Sequence, residues 1–104
     1  MSIQIMPAVT RKGDQDLIHC DIPYREGAST NVFANGEGIS REGDLNSPHG
    51  TPALLCGPHQ APITLGSTTV FVNGKGCGRV GDLITLCTIV AQGSPNVNAG
   101  PPII

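Results

Sequence analysis

Val32-Phe33-Ala34-Asn35-Gly36-Glu37-Gly38-Ile39-Ser40-Arg41-Glu42-Gly43-Asp44 is repeated without a gap by Val70-Phe71-Val72-Asn73-Gly74-Lys75-Gly76-Cys77-Gly78-Arg79-Val80-Gly81-Asp82. The shared frame is Val-Phe-x-Asn-Gly-x-Gly-x-x-Arg-x-Gly-Asp. Its Val-Phe start favours a strand, because branched and aromatic side chains fit a pleated surface. Asn-Gly two residues later is the strongest short-range hairpin signal, since both residues accept the positive φ of a type I′ turn. The glycine before each Asp marks another left-handed or close-approach backbone position. No window of 11 or more residues carries helical periodicity, and Gly or Pro interrupts nearly every candidate. The frame therefore predicts an all-β chain of short strands and long connections, with any helix limited to a single turn.

Upstream of the frame lie Gly27-Ala28-Ser29-Thr30-Asn31 and the one-residue-shorter Gly66-Ser67-Thr68-Thr69, with a degraded third copy in Gly93-Ser94-Pro95-Asn96-Val97-Asn98-Ala99-Gly100. The Arg-x-Gly-Asp end also occurs three times, the additional copy being Arg11-Lys12-Gly13-Asp14. Five residues past each Asp stands a metal-ligating side chain: His19, His49 and Cys87. Three copies in one short chain indicate a repeated structural unit. Packed around a pseudo-threefold axis, the units bring these three donors together. The interval between the second and third Asp is longer than the first by an insertion at 50–62, which carries His59 as a non-equivalent fourth donor. The predicted set is His19, His49, His59 and Cys87, with Cys56 the rival of His59. Mixed nitrogen and sulfur donors suit zinc in tetrahedral coordination, with iron as the alternative, and four protein ligands make a closed, structural site.

The other titratable residues read as structural. Cys20 is one residue off the repeat register, so in an extended segment it faces away from His19. Cys77 replaces Ile39 of the other copy and reads as a small buried hydrophobe. Asp14, Asp44 and Asp82 recur too regularly for a catalytic acid; Asp commonly caps its own turn, and the preceding Arg can pair with the Asp of a neighbouring repeat. Gly76-x-Gly78-x-x-Gly81 matches a dinucleotide-binding pattern, but a Rossmann turn must open a helix and none follows.

With 104 residues the chain makes one domain, 1–104, and the bulk numbers exclude several classes. Only three aromatic residues are available for a core that also holds 14 glycines and 9 prolines, so a structural metal is an expected source of stability. A net charge of −2 without a basic cluster argues against nucleic-acid binding. No apolar stretch reaches the length of a membrane-spanning helix, and the start of the chain lacks a secretory leader. Synthesis in the cytosol is expected, which disfavours disulfides for the four cysteines and favours metal ligation.

On Asn35–Asp44, on Gly66–Asp82 and on the closing Gly93-Ser94-Pro95-Asn96-Val97, the chain resembles the PAAR-repeat proteins, over nearly its whole length. The name motif itself is replaced by Gly-Ile-Ser-Arg at 38–41 and Gly-Cys-Gly-Arg at 76–79; only Pro7-Ala8-Val9-Thr10-Arg11 echoes it. The resemblance implies a small β-rich cone that caps the trimeric β-helical spike (VgrG-like) of a type VI secretion system or a contractile phage tail. It implies one zinc near the vertex on His19, His49, His59 and Cys87, and a non-enzymatic role in piercing the target envelope. It also implies one such chain per spike trimer, transient membrane contact, and export or injection with the spike. A bare tip without a fused effector is expected. The spike-facing base is expected to be apolar, including Val32, Phe33, Val70, Phe71 and Val72. The competing readings are a stand-alone zinc-stabilised binding module and a small zinc hydrolase, the second needing a nearby carboxylate base and a pocket.

Overall fold

The computed structural model describes residues 5–50 and 57–102; Cys56, the rival fourth ligand, lies outside them. Among the described residues there is no helix, and the regular structure consists of antiparallel pairs. Strand β1 (Phe33–Ala34) pairs with β2 (Glu37–Gly38), and β3 (Phe71–Val72) with β4 (Lys75–Gly76), in identical register. Both hairpins turn through Asn-Gly with positive φ at Asn35 (55°), Gly36 (80°), Asn73 (54°) and Gly74 (77°), as a type I′ turn demands.

A third hairpin is assembled from the two ends of the described chain. Ala8 bridges Asn98, the Val9 N–H donates to the Val97 carbonyl at 2.9 Å, and the Ala99 N–H donates to the Pro7 carbonyl at 3.0 Å. The degraded copy at 93–100 thus supplies one strand and the segment around Pro7–Val9 the other. In each unit a serine closes the approach. The hydroxyls of Ser29, Ser67 and Ser94 accept the N–H of Val32, Val70 and Val97 at 3.0, 2.8 and 2.9 Å. The same hydroxyls donate onward to Asn73 Oδ1, the Gly100 carbonyl and Asn35 Oδ1, so each unit is tied to the next.

Where the three units meet, the backbone closes on itself. Thr10 N–H donates to the Gly78 carbonyl (3.0 Å), Gly78 N–H to the Ser40 carbonyl (2.9 Å), and Ser40 N–H back to the Thr10 carbonyl (3.0 Å). This three-membered ring establishes the approximate threefold arrangement without leaving an edge inside it. From the ring each segment enters its Arg-x-Gly-Asp turn. Gly13, Gly43 and Gly81 adopt φ of 91°, 85° and 92°, and the Asp N–H returns to the Arg carbonyl at 2.9, 2.9 and 3.1 Å. Each Asp accepts its own unit's Arg backbone N–H at 2.8 Å and grips the guanidinium with both oxygens. The Arg–Asp pairing is therefore within a unit, which corrects the expected pairing with a neighbouring repeat: the tight turn brings each Asp back onto the Arg three residues before it. What crosses to other residues is the remaining guanidinium nitrogen, which donates to Asn35 Oδ1, Asn73 Oδ1 and the Gly100 carbonyl.

Two small cores flank the ring. One, at the hairpins, contains Val9, Ala34, Ile39, Val72, Cys77 and Ala99, with Val32 and Val97 against it. The other, toward the predicted ligands, contains Ala61, Ile63, Ile84 and Val90, with Val80 and Cys87 against it. Of the residues expected at an apolar base, Phe33, Val70 and Phe71 are exposed, whereas Val72 is core and Val32 half-buried against it. Within the strands alternation separates exposed Phe33 and Phe71 from buried Ala34 and Val72, because neighbouring strand residues face opposite sides.

Candidate metal centre

The residues after the three Arg-x-Gly-Asp turns run alongside one another and end on a common site. His19, His49, His59 and Cys87 converge so that one donor atom from each lies within 4.8 Å of every other. All four expected ligands are brought together. The His49 and His59 rings are 4.1 Å apart between centroids, with His19 at 5.5 and 5.1 Å from them.

Local chemistry places His49, His59 and Cys87. His59, on the insertion, is held by a reciprocal backbone pair with His49: His49 N–H to the His59 carbonyl at 3.0 Å and His59 N–H to the His49 carbonyl at 2.9 Å. Residues that exchange both bonds carry their side chains on the same face, so the insertion delivers its imidazole beside His49. Cys87 follows a tight turn in which Leu86 takes φ +50° and the Cys87 N–H closes on the Ile84 carbonyl at 3.0 Å. His49 is buried; the other three are half-buried.

The tautomers suit ligation. His49 Nδ1 lies 2.8 Å from the Ser47 carbonyl and His59 Nδ1 lies 2.8 Å from the Gly57 carbonyl. A carbonyl can only accept, so each Nδ1 carries the proton and each Nε2 keeps its lone pair for the site. Those Nε2 atoms stand 3.2 and 3.6 Å from Cys87 Sγ. Tetrahedral zinc with bonds of about 2.05 Å to nitrogen and about 2.3 Å to sulfur separates such donors by about 3.6 Å. The donor set and its spacing therefore fit a metal ion bound by four protein ligands.

Partial burial holds His19 below the ordinary imidazole range, with the neighbouring His59 and His49 acting in the same direction. Burial pushes the Cys87 thiol up, opposed by a hydrogen bond from Asn46. A ligating cysteine must be a thiolate, so metal binding here releases a proton.

The other cysteines divide. Cys77 is a free, fully buried thiol, as its position between two glycines implies, and burial raises its pKa to about 11. Cys20 is not among the four converging donors and is disulfide-bonded. This corrects the expectation that the cysteines favour metal ligation over cystine: Cys20 takes φ +62°, so its segment is not extended and strand alternation does not set its direction.

Sequence reasoning missed the polar group behind the ligands. Arg25 and Asp16 form an ion pair at 3.1 Å with both side chains fully buried, and Asn46 donates to Asp16 at 3.3 Å. Arg25 occupies the repeat position of Ile63 and Val90, because all three N–H groups return to the carbonyl of their unit's Asp or its equivalent. A charge where two copies are apolar was the available signal. No protein-family model matches the chain, and no curated protein is similar to it.

Proposed function

We propose that this protein is the metal-hardened tip of a contractile injection machine, seated on a trimeric β-helical spike and non-enzymatic. The observation that carries the reading is the threefold closure ending on four convergent donors. Ring, hairpins and turns let one chain present three similar surfaces, which is what a threefold partner requires from a single cap. A trimeric β-helix ends in unpaired strand edges, and a cap with matching symmetry removes them.

In this reading the hairpin end, with exposed Phe33, Val70 and Phe71, is the base that meets the spike. The His19, His49, His59 and Cys87 end is the vertex of a cone, beside the small core of Ala61, Ile63, Ile84 and Val90. Zinc, with iron the alternative, adds to that small core by cross-linking the three units and the insertion. Four protein donors occupy a tetrahedral ion completely, leaving no position for the water that a zinc hydrolase activates.

Two measurements test the proposal. Elemental analysis of the purified protein is expected to find one zinc per chain. Mixing with a trimeric spike protein is expected to give a complex of one chain per trimer by mass photometry. A folded protein with no metal would remove the site; a metal-loaded protein that binds no spike would leave the stand-alone zinc module as the better reading.

A further inference from the structure

Behind Cys87 stands Asn46, fully buried. Its amide oxygen accepts the Ala61 backbone N–H at 2.8 Å, which fixes the orientation of the group. The amide nitrogen therefore faces the other way, 3.8 Å from Cys87 Sγ and 3.3 Å from Asp16 Oδ2. An amide nitrogen has two hydrogens, one for each of these acceptors. Asp16 is paired in turn with Arg25, which is anchored by the Asp44 carbonyl at 2.6 Å and Ser40 Oγ at 3.2 Å. A continuous polar path thus runs from the interior beside the threefold ring to the sulfur of the candidate ligand.

The path has no counterpart in the other repeats. Two residues past Asp44, Asn46 holds the position that Ile84 holds after Asp82. Two residues past Asp14 stands Asp16 itself. Three equivalent positions thus carry an acceptor, a donor and an apolar side chain. The unit that carries the donor is beside the only sulfur among the four candidate ligands.

We propose that Asn46 is a positioning residue for the metal centre: its amide nitrogen holds the Cys87 sulfur in one direction and ties it to the buried Asp16–Arg25 pair. Asn46 does not touch the metal. It acts through Cys87, drawing charge from the sulfur by hydrogen bonding and restricting its rotamer, as groups behind metal ligands do. The inference rests on the metal reading of the site.

Cobalt(II) substitution tests it, because the cobalt–thiolate charge-transfer band reports on the sulfur alone. Asn46→Ile installs a branched apolar side chain like the one the third repeat already carries. In that variant the band is expected to shift, and zinc affinity, measured by competition with a chromophoric chelator, to fall by about 10–100-fold. Gln60→Ala is the control, since Gln60 donates to Glu26 and to the Asn46 backbone carbonyl and leaves the sulfur untouched; both readouts are expected to stay at wild-type values. Should Asn46→Ile fail to fold, Asn46→Ser, whose short hydroxyl cannot serve both acceptors, is read the same way. A folded variant with unchanged band and affinity would overturn the inference while leaving the metal centre standing. Wild-type protein that takes up neither cobalt nor zinc would overturn both.

Discussion

Gly78 shows how one missing side chain fixes the arrangement. It occupies the ring position of Thr10 and Ser40, where three backbones converge. A Cβ there would stand 2.6 Å from the Ser40 carbonyl oxygen and 2.9 Å from both Ile63 Cδ1 and Thr10 Cγ2. The first neighbour is backbone and cannot rotate aside. Gly78→Ala is expected to lower unfolding free energy by about 1–3 kcal/mol through overpacking, read from the urea midpoint. Its neighbour Cys77 gives a pH signature. The thiol is raised from 9.0 to about 11 by burial, so it stays protonated in the fold at pH values where the unfolded chain ionises. Its contribution is intact below about pH 9 and is lost as pH rises from about 9 toward 11, by at most about 3 kcal/mol. Iodoacetamide at pH 8 is expected to leave Cys77 unmodified in the native protein and to label it in denaturant, as mapped by peptide mass spectrometry.

Short strands and turns, rather than long elements, carry this fold, and their weakness is offset by repetition. Each two-residue pair is marginal alone, but each is joined to its neighbours by serine hydroxyls, arginine forks and the ring. The buried Asp16–Arg25 pair is the one charged insertion in that pattern. Burying both charges costs several kcal/mol, repaid only while both partners and their hydrogen bonds remain. Asp16 Oδ1 has no hydrogen-bond partner, so the repayment is incomplete. Arg25→Met is expected to destabilise by about 3–5 kcal/mol because it strands Asp16. The double change Asp16→Ile with Arg25→Ile copies Ile84 of the third repeat at the first position and Ile63 of the second repeat at the other. It is expected to recover most of that loss in the same urea titration, so a double variant as unstable as the single one would refute this account.

Across the whole molecule, two small cores hold the three units together, and four donors converge beside the second of them. Neither core contains an aromatic side chain, and the exposed Phe33 and Phe71 contribute little to folding. On the proposed metal reading, the bound ion carries a large share of the stability. His49→Ala, or a strong chelator, is expected to abolish stoichiometric metal and to lower the melting temperature by about 15 °C or more in scanning calorimetry. A variant that loses the metal yet melts with the wild type would show that the two cores suffice.

Much of this was written in local sequence. Asn35-Gly36 and Asn73-Gly74 specify their hairpins because the turn chemistry is contained in two residues. The Arg-x-Gly-Asp turns are likewise self-contained, each Asp capping its own loop. Repetition then made the donor set legible: equal offsets after equal turns place His19, His49 and Cys87 equivalently, whatever the intervening residues. Other features depend on residues far apart in the chain. The pairing of Pro7–Val9 with Val97–Ala99 that completes the third hairpin joins its two ends, and the cystine at Cys20 depends on which second thiol the fold brings to it. The burial of Arg25 against Asp16, and the reach of Asn46 to Cys87, arise only when three units close around one axis. Local conformation follows from a residue and its near neighbours; long-range partners are decided by which surfaces the closed ring brings into contact.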